Sequence, residues 1–159
     1  VEAPFLRPKK LSTDFASTKE AVDHSINFLE KEYVNIKNIA CFYGTSIFAK
    51  PEIIRKGLKY AQKSNKFIFL AKKTDPQSFR SFILNNNNEI QKMSNKNNYR
   101  TQDLKKTYQD LGQFYIAMYE VWKKEKVILG KNSKAIIVKN WQATDIDDVD
   151  DWKLAELLF

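Results

Sequence analysis

The densest group of chemically capable side chains lies near the end of the sequence, in Asp145-Ile146-Asp147-Asp148-Val149-Asp150-Asp151-Trp152. On a strand end, alternation would put Asp145 and Asp147 on one face and turn Ile146 toward a core. Two neighbouring carboxylates repel unless a cation joins them. Their hard oxygens suit Mg²⁺, which is commonly held by one or two carboxylates plus a substrate's phosphate oxygens. The same run also suits acids gathered at a helix N-terminus, where the helix dipole favours negative charge. The pattern by itself leaves both readings open. It is not an EF-hand loop, because the central Gly and the Glu at the twelfth position are missing.

A second group is Arg100-Thr101-Gln102-Asp103-Leu104, followed by Tyr108-Gln109-Asp110-Leu111-Gly112-Gln113-Phe114-Tyr115. Its polar side chains make directional hydrogen bonds, Arg100 can grip a carboxylate with two prongs, and Gly112 permits a sharp turn or close ligand approach. An ordinary surface loop with a salt bridge is the alternative. A third group is Pro4-Phe5-Leu6-Arg7-Pro8 with Leu11, Asp14 and the helix start Ser17-Thr18. A helix N-terminus offers free N–H groups to a phosphate or a base edge, or it is simply a capped helix. His24 lies off the apolar stripe of its helix and reads as a surface residue. Cys41 lies in an apolar strand and reads as a buried, inert thiol. No Ser-His-Asp arrangement, Gly-x-Gly-x-x-Gly or P-loop lysine motif occurs.

The elements that must position these groups follow from periodicity. Ser17 with Glu20 is a capping box, and Val22, Ile26, Leu29 and Tyr33 recur at helical spacing, which predicts a helix over 17–33. Residues 39–43 predict a strand, Pro51 opens a helix whose inner face is Ile54, Leu58 and Ala61, and 67–71 predict another strand. This helix–strand alternation is the rhythm of an α/β domain with parallel strands. Beyond it, 79–84 and 89–93 around the Asn85–Asn88 run predict a hairpin. Residues 113–119 and 135–139 predict strands, and 149–159 a closing helix.

Composition narrows the classes. The chain has 159 residues, 43% hydrophobic and 13% aromatic, which suits one domain with a real core and excludes global disorder. Lys and Arg number 27 against 19 Asp and Glu, a net charge of +8. Only four of the basic residues are Arg, the lysines fall in scattered pairs, and Asn is abundant. This is a solvated surface rather than a nucleic-acid stripe, and it remains compatible with a small anionic ligand such as a nucleotide. One Cys and one His exclude a disulfide framework and a His-rich metal site. No apolar run approaches the roughly 20 residues of a membrane-spanning helix, no signal peptide is visible, and a cytoplasmic location is expected.

In order along the chain, Phe5-Leu6-Arg7-Pro8 with Leu11 and Asp14, Cys41-Phe42-Tyr43-Gly44-Thr45, Arg100-Thr101-Gln102-Asp103-Leu104, Asp110-Leu111-Gly112-Gln113-Phe114-Tyr115, and Asp145-Ile146-Asp147 with Asp151-Trp152 and Ala155-Glu156 form one register. It resembles that of the CMP-nonulosonate synthetases, the cytidylyltransferases that activate sialic-type sugar acids, and most resembles the branch acting on pseudaminic acid. The resemblance implies a Rossmann-like nucleotidyltransferase domain over 1–159, with a mostly parallel sheet and a hairpin extension, about 76–112, used in homodimerisation. It implies that a nine-carbon sugar acid attacks CTP to give CMP-sugar and pyrophosphate, with Mg²⁺ as cofactor. Asp145 and Asp147 match the metal-binding, catalytic pair. Arg7, Ala16 and Thr18 match the cytidine pocket. Tyr43, Arg100, Gln102 and Tyr115 match the sugar side, with Arg100 suited to the acid's carboxylate. Nucleic acid and membrane are not expected partners.

The family's N-terminal strand and its phosphate-binding loop have no counterpart in this text. The sequence therefore reads as an N-terminally truncated domain, expected to be inactive and poorly soluble on its own. Gly44, Ile47 and Gln109 depart from the family pattern, as does Gln77-Ser78-Phe79-Arg80. A CMP-N-acetylneuraminate synthetase, or a non-catalytic remnant, are the alternative readings.

Overall fold

The structure, a computed structural model, describes residues 3–74, 82–92, 100, 103, 105–142 and 146–159. Helix α1 (Thr18–Glu32) starts at the capping box. Ser17 Oγ accepts from the Glu20 N–H, while the Glu20 carboxylate accepts from the Ser17 N–H at 2.8 Å. Strand β1 (Asn38–Phe42) follows, then α2 (Pro51–Ser64), which begins with proline at its first position and ends at Asn65 in the left-handed conformation. Strand β2 is Phe67–Lys73. The hairpin strands β3 (Phe82–Leu84) and β4 (Ile90–Lys92) come next, then β5 (Tyr108–Met118), α3 (Tyr119–Lys124), β6 (Ser133–Val138) and α4 (Val149–Leu158).

The main sheet has strand order β1-β5-β2-β6. Strand β1 pairs antiparallel with β5, Phe42 opposite Phe114 and Asn38 opposite Met118. Thr74, just beyond β2, donates its N–H to the Thr107 carbonyl, just before β5, at 2.9 Å. The end of β2 therefore meets the start of β5, and the two are antiparallel. Phe67, the first residue of β2, donates to Asn132, just before β6, at 3.0 Å, so these two strands start together and are parallel. Three strands share one direction and β5 alone opposes them. The expected mixed α/β architecture with a mostly parallel sheet is present, and its one reversed strand sits between two of the others.

The chain divides into two compact units, residues 1–70 with 112–136 and residues 71–111 with 137–159. In the first, alternate residues of β5 face opposite helices. Tyr115 and Ala117 join Val22 and Ile26 of α1, with Phe67, Val121 and Trp122, in one buried cluster. Phe114 and Ile116 face α2. There Gly57 lets helix and strand approach, since a Cβ at that position would stand 3.1 Å from Ile116 Cδ1. Both faces of β5 are covered, and its residues 113–117 are all buried. Helix α3 is absent from the sequence reading. Its Trp122 is wholly buried, packs edge-on to Phe67 at 4.7 Å between ring centroids, and donates its indole N–H to the Ile39 carbonyl at 3.2 Å.

In the second unit the expected hairpin forms around the asparagines. Asn85 Oδ1 accepts the N–H groups of Asn87 and Glu89, both at 2.9 Å, and Asn88 takes φ 62°. The residues of the first hairpin arm before Phe82, Met93, and the Gln77–Arg80 segment lie outside the described residues. Strand β5 starts five residues earlier than its β-formers suggest, and Gly112 lies inside it at φ 56° rather than in a turn before it. No helix among the described residues is long and apolar enough to cross a membrane.

Candidate functional site

The first unit contains a cleft of about 420 Å³ between the start of α1 and the end of β1. The capping box fixes where α1 begins, and so places Ala16, Ser17 and Thr18 on one wall. Ala21, Val22 and Ser25, one and two turns on, continue that wall. Strand β1 supplies the opposite wall from Cys41 to Tyr43, with Gly44 following. The segment before α1 is pinned by Phe5, whose ring packs on Phe28 at 4.7 Å and on His24 at 5.2 Å, and this brings Arg7 to the cleft. Arg7, Ala16 and Thr18, expected at the cytidine, and Tyr43, expected at the sugar, thus line one cavity although they come from three segments. Thr18 Oγ1 and the Tyr43 hydroxyl share a hydrogen bond that ties the two walls.

Two residues are placed differently from their sequence reading. Cys41 is half-buried and lines the cleft rather than lying sealed in the core. Burial pushes its thiol up from the ordinary value, and the Arg7 charge pulls weakly the other way. The side chain is thus a neutral thiol, as expected, but one within reach of the cavity. His24 is half-buried against Phe5 rather than on the open surface. Its Nδ1 is buried and has no hydrogen-bond partner among the described residues. The pattern missed Ala21 and Ser25 as wall residues. Their spacing from Thr18, at i+3 and i+7, was the available signal, because it puts small residues on one side of the helix.

Tyr115 is buried behind the cleft, not on its wall. Its ring meets the Tyr43 ring edge-on at 6.0 Å and the Phe69 ring at 6.5 Å, so it backs the tyrosine that does face the cavity. Arg100 is exposed and belongs to the second unit, where its carbonyl accepts the Asp103 N–H at 2.9 Å. Gln102 and Asp145 lie outside the described residues.

Asp147 is exposed in the second unit, one residue before the cap of α4. Asp148 caps that helix, accepting from the N–H groups of Asp150 and Asp151. The Asp151 carboxylate reaches back to the N–H groups of Asp147 and Asp148, at 3.1 and 3.3 Å. The acid run therefore divides by role. Asp148 and Asp151 serve the helix start, while the Asp147 carboxylate has no partner among the described residues. Within those residues no three His, Cys, Asp or Glu side chains gather as a metal site.

No family model matches the chain. It is 31% identical to the pseudaminic acid cytidylyltransferase of Campylobacter jejuni subsp. jejuni serotype O:2, over an alignment covering 99% of this chain and 69% of that protein. It is 32% identical, with the same coverage, to the pseudaminic acid cytidylyltransferase of serotype O:23/36. A Helicobacter pylori protein named as pseudaminic acid cytidylyltransferase and UDP-2,4-diacetamido-2,4,6-trideoxy-beta-L-altropyranose hydrolase is 29% identical. That match covers 89% of this chain and 27% of that protein. Likeness at this level over nearly the whole chain means that it belongs to the pseudaminic acid cytidylyltransferase family of CMP-nonulosonate synthetases.

Proposed function

We propose that this protein transfers a cytidylyl group from CTP to pseudaminic acid. The anomeric hydroxyl oxygen of the sugar acid forms a bond to the α-phosphorus. The bond from that phosphorus to the bridging oxygen of the β-phosphate breaks, and pyrophosphate leaves with its electron pair. The products are CMP-pseudaminic acid and pyrophosphate, and the hydroxyl proton passes to a base. The observation that carries this reading is the convergence of Arg7, Ala16, Thr18 and Tyr43 on one cleft. A cavity of this size, lined by Arg7 and hydroxyl side chains together with Phe42 and Tyr43, suits a nucleoside next to a second reactant.

In this reading Arg7 supplies positive charge to the nucleotide, and Thr18, at the first turn of α1, offers a hydroxyl and a helix N-terminal N–H. Tyr43, backed by Tyr115, presents a hydroxyl and a ring to the sugar. Arg100, with Gln102, takes the sugar acid's carboxylate, for which a planar guanidinium is the matching donor. An exposed carboxylate at Asp147, without a partner among the described residues, fits a hard cation, so Asp147, together with Asp145, would hold Mg²⁺. When bound, that ion supplies charge neutralisation at the α-phosphate.

The test is pyrophosphate release by the full-length protein with CTP, Mg²⁺ and either pseudaminic acid or N-acetylneuraminic acid. Turnover should require CTP and be fastest with pseudaminic acid, and Asp147→Ala should lower it by at least about a hundredfold with the circular dichroism unchanged. Preference for N-acetylneuraminic acid would correct the substrate. No release with either acid by a folded protein would refute the reading.

A further inference from the structure

The chain between β1 and α2 carries Tyr43 into the cleft but has little to hold it. Tyr43 and Ile47 are 37% and 40% exposed, and a side chain at Gly44 would meet nothing within 4 Å. Phe48, 3% exposed, anchors only the far end. At the near end the Tyr43 hydroxyl bonds to Thr18, and the backbone of the turn is fastened to β5 at one acceptor atom. The Gln113 carbonyl accepts the Tyr43 N–H at 3.1 Å and also the Ser46 hydroxyl. Ser46 in turn donates its own N–H to the Tyr43 carbonyl at 3.1 Å, closing a tight turn over Gly44 and Thr45. The acceptor is immobile, because Gln113 lies in the fully covered stretch of β5 and is itself 3% exposed.

We infer that Ser46 is a positioning residue for sugar-acid binding, because its hydroxyl clamps the loop that presents Tyr43 to the cleft. The inference rests on the cytidylyltransferase reading and on the placement of the sugar at Tyr43. Two donors on one carbonyl fix the direction of the loop as well as its position. Without the Ser46 hydroxyl the ladder would end at Tyr43, and the turn beyond it would pivot on a single N–H bond. Tyr43 would then sample orientations away from Thr18 and Tyr115. Arg7 and Ala16 make no hydrogen bond to this loop among the described residues and Thr18 meets it only through the Tyr43 hydroxyl, so the change falls mainly on the sugar side. An alcohol is required at this position: alanine removes the donor, and threonine keeps it.

Two measurements on the full-length protein test this. Hydrogen exchange of the peptide spanning 43–50, read by mass spectrometry, should accelerate in Ser46→Ala by about fivefold, the usual effect of losing one net hydrogen bond. Steady-state kinetics on the same variant should show KM for pseudaminic acid raised by about fivefold and KM for CTP changed by less than about twofold. Ser46→Thr should restore both readouts. Unchanged exchange, or equal rises in the two KM values, would overturn the inference. A wild type with slow exchange in this peptide but no turnover would instead overturn the cytidylyltransferase reading and reduce Ser46 to a loop clamp, so the two failures are told apart.

Discussion

Replacing Trp122 should show how much of the first unit's stability rests on the short helix α3. Trp122 is wholly buried, lies edge-on to Phe67 of β2 and donates to Ile39 of β1, so it ties α3 to two strands. Trp122→Ala removes the indole and leaves a hole among close-packed neighbours. Large aromatic-to-alanine changes of this kind cost about 3–5 kcal/mol. Trp122→Phe keeps most of the apolar volume and removes only the N–H donor and one ring. Tyr43 donates to Gln113, and Tyr119 to Lys37, at the two ends of the β1–β5 ladder. Both pairs fall on odd-numbered residues of β1, so Ile39 also belongs to a hydrogen-bonded pair, with Ala117 opposite. Its carbonyl therefore keeps a ladder partner when the indole goes. The lost bond then costs about 0.5–1.5 kcal/mol, not the larger penalty of an orphaned acceptor. Urea denaturation followed by far-ultraviolet circular dichroism measures both. With a slope of about 1–3 kcal/mol per molar, the alanine variant should lose on the order of 2 M in midpoint and the phenylalanine variant well under half of that. Equal shifts for the two variants would refute the division into packing and hydrogen bonding. A loss under about 1 kcal/mol for alanine would refute the placement of Trp122 in the core.

Two further changes probe the site's parts separately. Arg100→Lys should raise KM for the sugar acid by at least tenfold and leave KM for CTP within twofold, because an ammonium replaces a two-pronged fork by a point charge; equal rises in steady-state assays would place Arg100 elsewhere. At the start of α1, hydrogen bonds from the Ser17 side chain and backbone hold the Glu20 carboxyl below its ordinary value of 4.5. A carboxyl whose folded pKa is depressed contributes stability that is present above the unfolded pKa and lost as pH falls through the folded one. Thermal melts between about pH 5 and pH 3 should therefore show a steeper loss for the wild type than for Ser17→Ala, and parallel losses would show that the Ser17 hydroxyl does not hold the carboxylate.

Local chemistry was legible because it needs only neighbours. Ser17 and Glu20 satisfy each other within one turn, Pro51 suits a helix start wherever that helix goes, and Asn85 to Glu89 close a hairpin through their own side chains. The family resemblance singled out Arg7, Ala16, Thr18 and Tyr43, and the structure places all four along one cleft. What only the tertiary structure decided lies in contacts between distant segments. Nothing local reverses β5 between β1 and β2. Its direction shows only in its pairing with β1 and β2, while α1 and α2 cover the two faces of Phe114 to Ala117. Helix α3 is six residues long, too short for periodicity to signal, and it is held by Trp122 against partners 83 and 55 positions earlier. The same holds at the cleft. Cys41 faces it because β1 pairs with β5 in a register that puts its odd-numbered residues on the α1 side, and a one-residue slip would turn that thiol away. Ser46 meets the Gln113 carbonyl across 67 residues of sequence. Side-chain type announces a capacity to donate, but only the packed sheet determines which acceptor lies within reach.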